Sequence, residues 1–219
     1  MYVPKHFAWE DRAEIAALIR AHNFGLLVTH TAAGLEATHL PFLYDPDDRD
    51  EGFPGGRLLG HIARANPQCK AIEALAAESG EALAVFQGPH AYVSPNWYAT
   101  GGKVPTWNYQ AVHLYGPPLP LDTAATSAFM QRLVEVHETP LTAPWSLAEF
   151  DEGKRRGMEN AILAFEIPVI RLEAKAKLSQ DKPAEDALSA AMGIADAFAE
   201  DPLAQATAAE MRRRAAARD

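Results

Sequence analysis

Two basic side chains flank the predicted start of a helix within residues 60–70. Arg64 precedes the helix and Lys70 lies one turn inside it, while Asn66 and Pro67 stand in the usual order for a cap and a first helical residue. A helix N-terminus offers unpaired backbone N–H groups and the positive end of the helix dipole, so this arrangement suits a phosphate. The same residues also fit a surface arginine and lysine beside an ordinary asparagine cap, and this segment alone leaves both readings open.

Two further polar groups lie within predicted strands. Thr38 and His39 occupy the middle of one strand, where alternation places them on opposite faces. Lys175 and Lys177 share a face near the end of another strand, just before Gln180. Together with the basic helix start, these groups supply the cations and hydrogen-bonding tips that a nucleotide-like cofactor requires.

An aromatic stretch over residues 104–116 is rich in strand-forming side chains. Alternation puts Trp107, Tyr109 and Tyr115 on one face, and Asn108 and Leu114 on the other. Because neither face is simply polar, one is expected to meet a core and the other a partner or a flat ligand. A β-core edge with satisfied polar tips remains the alternative interpretation.

Composition and charge exclude several classes of protein. The 219 residues are 48% hydrophobic and 22% charged, which is typical of one soluble globular domain with a sizeable core. The net charge of −9 argues against a broad electrostatic grip on nucleic acid, and the cluster Arg212, Arg213 and Arg214 fits a solvated helix end better than a DNA contact. No membrane span or signal pattern is present, so we expect a cytoplasmic protein.

Known catalytic and metal motifs are missing from the sequence. It contains no G-x-G-x-x-G, P-loop, H-E-x-x-H or G-x-S-x-G pattern, and its eight histidines lack metal-ligand spacing. Cys69 lies in a predicted amphipathic helix, which favours a buried structural thiol. We therefore expect no metal site, and no catalytic residue is assigned.

The predicted elements describe an α+β fold of antiparallel strands. Six or more strands with short helices between them suggest a small β-barrel whose openings carry helices. We expect one strand over residues 35–44, a long strand over residues 161–177, and a solvated hairpin loop in the acidic residues 45–51, where a calcium loop is the less favoured reading. Exposed aromatic strands would be adhesive, so a homodimer that buries them is the natural arrangement.

Several segments resemble the PaiB family of FMN-binding split-barrel proteins, which are negative transcriptional regulators. The resemblance is carried by residues 1–7, 37–42, 60–68, 86–95, 104–109 and 177–180. It spans residues 1 to about 185 and leaves the last part of the chain outside.

The resemblance implies a dimeric, antiparallel split β-barrel related to pyridoxamine-phosphate oxidases and flavin reductases, with FMN at the dimer interface. It implies that Arg64 and Lys70 hold the FMN phosphate, that Trp107 and Asn108 approach the flavin from the partner subunit, and that Lys177 and Gln180 close the site. The other residues expected near FMN are Thr38, His39, His61, Ile62, Ala63, Asn66 and Gln68.

Two functions follow from the resemblance. The first is a homodimeric FMN-binding negative regulator of transcription, of the kind that controls protease production and sporulation. The alternative is an FMN-dependent oxidoreductase that acts on a small molecule, with His39 or His61 as a candidate acid or base. We expect a split-barrel domain over residues 1–185 and a helical extension over residues 186–219 that packs on the barrel or on the dimer partner.

Overall fold

The computed structural model describes residues 1–32, 34–47 and 54–217. Side-chain caps define several helix starts, since Asp122 accepts the Ala125 N–H at 2.8 Å and Asp201 accepts the Leu203 N–H at 2.9 Å. The helices are α1 Arg12–Ala21, α2 Gln68–Glu78, α3 Thr123–Glu138, α4 Glu152–Asn160, α5 Ala184–Ala197 and α6 Pro202–Ala216.

The strands are short apart from two that exceed ten residues. Both long strands are rich in β-branched or aromatic residues. The strands are β1 Phe24–Thr31, β2 Gly34–Pro41, β3 Leu43–Asp45, β4 Arg57–Ala63, β5 Ala82–Val93, β6 Thr106–Gly116, β7 Leu119–Pro120, β8 Ile162–Pro168 and β9 Arg171–Lys177.

The contacts divide the chain into two units, and the first, unit A, comprises residues 19–85 and 114–172. In unit A, β1 forms an antiparallel hairpin with β2, and its other edge pairs with the start of β5, where Leu27 lies opposite Ala84. A second sheet has the order β3-β4-β8-β7. Leu59, Phe129 and Leu133 pack together where α3 meets the second sheet.

The second unit, unit B, comprises residues 1–18, 86–113 and those from 173 onward. Here the strand order runs from the end of β5 through β6 to β9. Trp9 donates its backbone N–H to Ala174 O at 3.1 Å, which ties the N-terminal segment to β9. Helices α5 and α6 pack against each other, and α6 reaches β6 through Met211.

The expectation of one long strand over residues 161–177 is wrong. The structure has two strands, β8 and β9, separated by Val169 and Ile170. Pro168 has no N–H to donate, the Val169 N–H bonds to Gly56 O, and the Ile170 N–H bonds to Tyr115 O. These bonds lie at the point where the chain leaves the sheet that contains β8 and enters the sheet that contains β9.

The expected strand over residues 35–44 is also divided. It consists of β2 and β3, with the buried Phe42 between them. Of the acidic loop, residues 48–51 lie outside the described residues, so that interpretation stays a prediction.

The expected fold class is confirmed, because the chain combines helices with antiparallel sheets. The alternation predicted for β6 is also present, with Asn108 and Leu114 buried while Trp107 is exposed. In the described part of the chain, no helix has both the length and the apolar character needed to cross a membrane.

Candidate functional site

The start of α2 is organised by Asn66. Its Oδ1 accepts the Gln68 N–H at 2.9 Å, and its Nδ2 donates to Thr38 Oγ1 on β2 at 3.1 Å. Pro67 already has helical dihedrals, which matches the predicted order of cap and first helical residue. One carboxamide therefore satisfies an end of the helix and fixes the helix to the neighbouring strand.

Gln68 is buried beneath this helix start. Its Nε2 donates to Thr29 Oγ1 at 3.0 Å, to Glu36 O at 3.3 Å and to Leu27 O at 3.4 Å. Its Oε1 is buried without a hydrogen-bond partner in the described structure. The residue joins the β1–β2 hairpin to α2 and retains one unused acceptor.

The two cations expected to hold a phosphate are both exposed. Arg64 follows β4, and its Nε donates to Asn160 O at the end of α4 at 3.1 Å. Lys70 lies in the first turn of α2. Both side chains are open to an anion from solvent, and Lys70 lies at the N-terminus of α2 itself.

His61 on β4 lies against α3, and its ring centroid is 5.9 Å from that of Phe129. Burial lowers its pKa and so favours the neutral imidazole, and its Nδ1 is buried without a partner in the described structure. The next two residues of β4 differ in exposure: Ile62 is buried and Ala63 is exposed.

His39 occupies the outward face of β2. Its exposed ring stacks on Phe24, with 6.0 Å between the ring centroids and 22° between the planes. Phe24 is 66% exposed, and Leu35 on the same strand as His39 is 75% exposed. This outward-facing set of His39, Phe24 and Leu35 is called the hairpin patch.

In unit B, the carboxamide of Asn108 is buried between β9 and α6. Its Nδ2 donates to Ser179 Oγ at 3.0 Å and to Met211 Sδ at 3.2 Å. Because both N–H donors are used, the amide orientation is fixed. Oδ1 is left buried and without a partner among the described residues.

Lys177 ends β9 and reaches back across β6. Its Nζ donates to Trp107 O at 2.7 Å and also to Thr106 Oγ1. Gln180 closes the following turn, since its Oε1 accepts the Leu178 N–H at 2.6 Å and its Nε2 donates to Ala176 O. Lys177 thus ties β9 to β6, and Gln180 stabilises the start of the connection from β9 to α5.

Trp107 projects from the exposed face of β6 and is 53% exposed. Its ring centroid lies 6.1 Å from that of Tyr92 and 6.2 Å from that of His90. Tyr92 continues the contact to Trp97 at 6.3 Å. The result is a polar-edged aromatic surface in unit B, of the kind that a flat ring can cover.

The structure brings some predicted residues together directly. Thr38, Asn66 and Gln68 form one connected group in unit A, and Lys177 meets the backbone of Trp107 in unit B. Sequence reasoning missed Ser179 and Met211, which hold Asn108. Ser179 adopts φ 65°, which is uncommon for a serine, and no pattern in the sequence indicates that conformation.

The residues present fit FMN. Among the buried polar atoms that lack partners in the described structure, three belong to residues expected near FMN: His61 Nδ1 and Gln68 Oε1 in unit A, and Asn108 Oδ1 in unit B. Such atoms are costly when unpaired, and a group that carries hydroxyl and ring N–H donors would satisfy acceptors of this type. Arg64 and Lys70 add cations suited to a phosphate.

Other chemistries find less support. Burial raises the pKa of the Cys69 thiol, which opposes its use as a nucleophile. Within residues 1–32, 34–47 and 54–217, no group of three His, Cys, Asp or Glu side chains is placed to hold a metal ion.

The elements and polar groups define a flavin-binding split barrel. A family model described as "Putative FMN-binding domain" matches residues 1–171, so the chain belongs to this family and FMN is its cofactor. The resemblance read from the sequence is confirmed.

Similarity to individual proteins extends over most of the chain. The chain is 34% identical to "Protease synthase and sporulation protein PAI 2" of Bacillus subtilis strain 168, over 85% of each chain. It is 34% identical to an uncharacterized protein of Emericella nidulans, over 83% of this chain and 85% of that one. The fold is similar to that of the FAD and heme binding protein from Mycobacterium smegmatis, with a TM-score of 0.55 and 16% identity over 76% of this chain and 71% of that one.

Proposed function

We propose that this chain is a cytoplasmic, homodimeric, FMN-binding negative regulator of transcription. The similarity to the Bacillus protein carries the proposal, because that relative is named for protease synthesis and sporulation and the match covers 85% of both chains. The proposed targets are therefore genes for extracellular proteases and for sporulation or a comparable developmental response.

The hairpin patch supports the homodimer. Phe24 and Leu35 expose most of their apolar surface on a hairpin whose strand β2 stands at the end of the order β2-β1-β5. Exposed apolar side chains at a sheet edge invite pairing with another chain, and a second copy covers such an edge symmetrically.

Within the site, we propose that FMN is held through its phosphate by Arg64 and Lys70 at the start of α2. The remaining unit A residues proposed near FMN are Thr38, His39, His61, Ile62, Ala63, Asn66 and Gln68. We further propose that Trp107 and Asn108 approach FMN from the partner subunit and that Lys177 and Gln180 close the site. FMN supplies redox chemistry when bound, and the residues of the chain orient it and exclude water.

The ion pairs of α6 favour a form of regulation in which the protein does not contact DNA through this helix. Arg213 Nη2 lies 2.6 Å from Glu14 Oε1, and Arg214 Nη2 lies 2.9 Å from Glu14 Oε2. Both guanidinium groups also pair with Glu210. A phosphate contact would have to displace these carboxylates, so we propose that regulation acts through flavin state or a partner protein.

The proposal is tested by transcript measurement in the source organism. Deletion of the gene is expected to raise protease transcripts, and the wild-type gene is expected to restore repression. An Arg64→Ala/Lys70→Ala gene should fail to restore it if bound FMN is required. Unchanged transcripts after deletion would refute the regulatory role while leaving FMN binding intact.

A polar pocket in unit B favours a second candidate function, an FMN-dependent oxidoreductase. The pocket has a volume of about 250 Å³, enough for a small substrate, and Lys177 and Asn108 lie in its wall. Sustained NADH or NADPH oxidation by the FMN-loaded protein would support this function. Turnover no faster than that of free FMN would exclude it.

A further inference from the structure

The unit B pocket has an unusual concentration of cations for an acidic protein. Among the described residues, its wall contains Lys103, Lys177 and Lys182 beside a single carboxylate, that of Asp181. The chain as a whole carries a net charge of −9. The excess of lysines makes this pocket locally attractive to an anion.

Two of the lysines already have carboxylate partners. Lys103 Nζ lies 3.3 Å from Oδ2 of the fully buried Asp186, and Lys182 Nζ lies 2.5 Å from Asp181 Oδ2. Asp186 also accepts the backbone N–H and the hydroxyl of Thr100, each at 2.8 Å. These bonds fix the loop that carries Lys103 over the pocket.

Lys177 differs because both of its hydrogen-bond partners are neutral oxygens, Thr106 Oγ1 and Trp107 O. An ammonium group has three donors, so one remains available. Burial lowers the pKa of Lys177, the charge of Asp181 opposes that change, and Lys175 and Lys182 lower the pKa further. A bound anion would stabilise the charged ammonium and raise its pKa.

Two hydroxyl groups in the pocket wall each have a hydrogen available for a hydrogen bond. Thr106 Oγ1 accepts from Lys177, and Ser179 Oγ accepts from Asn108 Nδ2 at 3.0 Å. A hydroxyl oxygen that already accepts keeps its own hydrogen for another acceptor. The third N–H of the Lys177 ammonium and these two hydroxyl hydrogens form a set of donors for which the described residues supply no acceptor.

We propose that this pocket binds the oxyanion of a small ligand, a carboxylate or a phosphate monoester, with Lys177 as its principal charge partner. The volume of about 250 Å³ lies below the range usual for drug-sized ligands, which favours a small molecule or a head group. The assignment does not depend on the regulatory role proposed above. The anion belongs either to a separate small ligand or to FMN itself, and the second source would replace the assignment of the FMN phosphate to Arg64 and Lys70.

Inorganic phosphate is the probe for the test, titrated calorimetrically into the full chain at constant ionic strength. Saturable binding is expected to weaken by about tenfold or more in Lys177→Met, because a charge-assisted contact is lost. Lys154→Met removes an exposed lysine from unit A and should bind like the wild type. Lys177→Arg should retain part of the affinity, and Thr106→Val should weaken it if Lys177→Met does not fold.

Equal phosphate affinity in the Lys177→Met, Thr106→Val and Lys154→Met variants would overturn the proposal, and so would the absence of saturable binding to the wild type. FMN and riboflavin distinguish the two sources of the anion. If phosphate binding persists in the FMN-loaded protein, the ligand is separate from FMN. If FMN but not riboflavin displaces phosphate, and Lys177→Met weakens the binding of FMN but not that of riboflavin, the pocket takes the FMN phosphate.

Discussion

Asn108 Nδ2 lies 3.2 Å from Met211 Sδ, and this contact joins strand β6 to the C-terminal helix α6. Asn108 is one of the residues proposed to contact FMN, whereas Met211 lies beyond residue 171, where the match to the family model ends. A segment outside the family match therefore fixes the orientation of a candidate cofactor residue inside it.

The Met211→Leu substitution tests that connection. Leucine has nearly the volume of methionine but no acceptor, so one N–H of Asn108 would be buried without a partner, at a cost of about 1–3 kcal/mol. We expect a corresponding loss in the free energy of unfolding, measured with urea, and weaker FMN binding. Met192→Leu, at a position 57% exposed, is the control. Identical stability and FMN affinity in the two variants would contradict the connection.

Asn66 allows the helix cap to be separated from the phosphate site. Asn66→Ala removes the cap and the bond to Thr38, and should cost about 0.5–2 kcal/mol. Asn66→Asp keeps an acceptor for the Gln68 N–H and should be more stable than Asn66→Ala. Its added negative charge should nevertheless weaken FMN binding relative to riboflavin. Unfolding curves and flavin titrations give both results, and equal weakening of both flavins by Asn66→Asp would count against a phosphate at this helix.

The buried imidazole of His61 predicts a pH dependence of stability. Burial lowers its pKa from 6.5, so the unfolded state binds more protons than the folded state as pH falls below that value. The free energy of unfolding should thus decrease from about pH 6.5 toward pH 5, above the range where carboxylates titrate.

His61→Gln should reduce this decrease without abolishing it, because burial also lowers the pKa of His22. The exposed His30 supplies the matched control, His30→Gln. The measurement is urea unfolding at several pH values. A decrease as steep in His61→Gln as in His30→Gln would show that His61 does not contribute.

Leu35 provides the test of the dimer surface. Leu35→Glu places a charge in the hairpin patch, so we expect the dimer to dissociate toward monomers. Light scattering after gel filtration measures the molar mass that shows this. Val136→Glu introduces the same charge at a residue of α3 that is 47% exposed and should remain dimeric. A wild-type protein that is monomeric at all concentrations would exclude the homodimer itself.

Much of the fold could be predicted from periodicity and caps. Helix α3, Thr123–Glu138, follows from local signals, because Asp122 caps its start and its apolar residues keep helical spacing. The division between β8 and β9 could not be predicted, since it depends on bonds from Val169 and Ile170 to distant carbonyls. Local apolar alternation contains no information about those partners.

The site was predictable where neighbours in sequence interact. The order of Asn66 and Pro67 indicated a capped helix, and the structure shows that cap. The bonds of Asn108 to Ser179 and Met211 join residues 71 and 103 positions apart, so spacing could not reveal them. The split at residue 185 between barrel and extension stays a prediction.

A measurement of FMN retention tests directly whether the chain holds FMN by its phosphate at the start of α2. The purified protein is mixed with FMN, desalted, and its visible flavin absorbance is compared with its protein concentration. A retained flavin band is expected in the wild type and in the control Lys154→Ala/Arg156→Ala, and its loss is expected in Arg64→Ala/Lys70→Ala. A double variant that retains as much FMN as the control would contradict the phosphate assignment, and a wild type that retains none would contradict the cofactor.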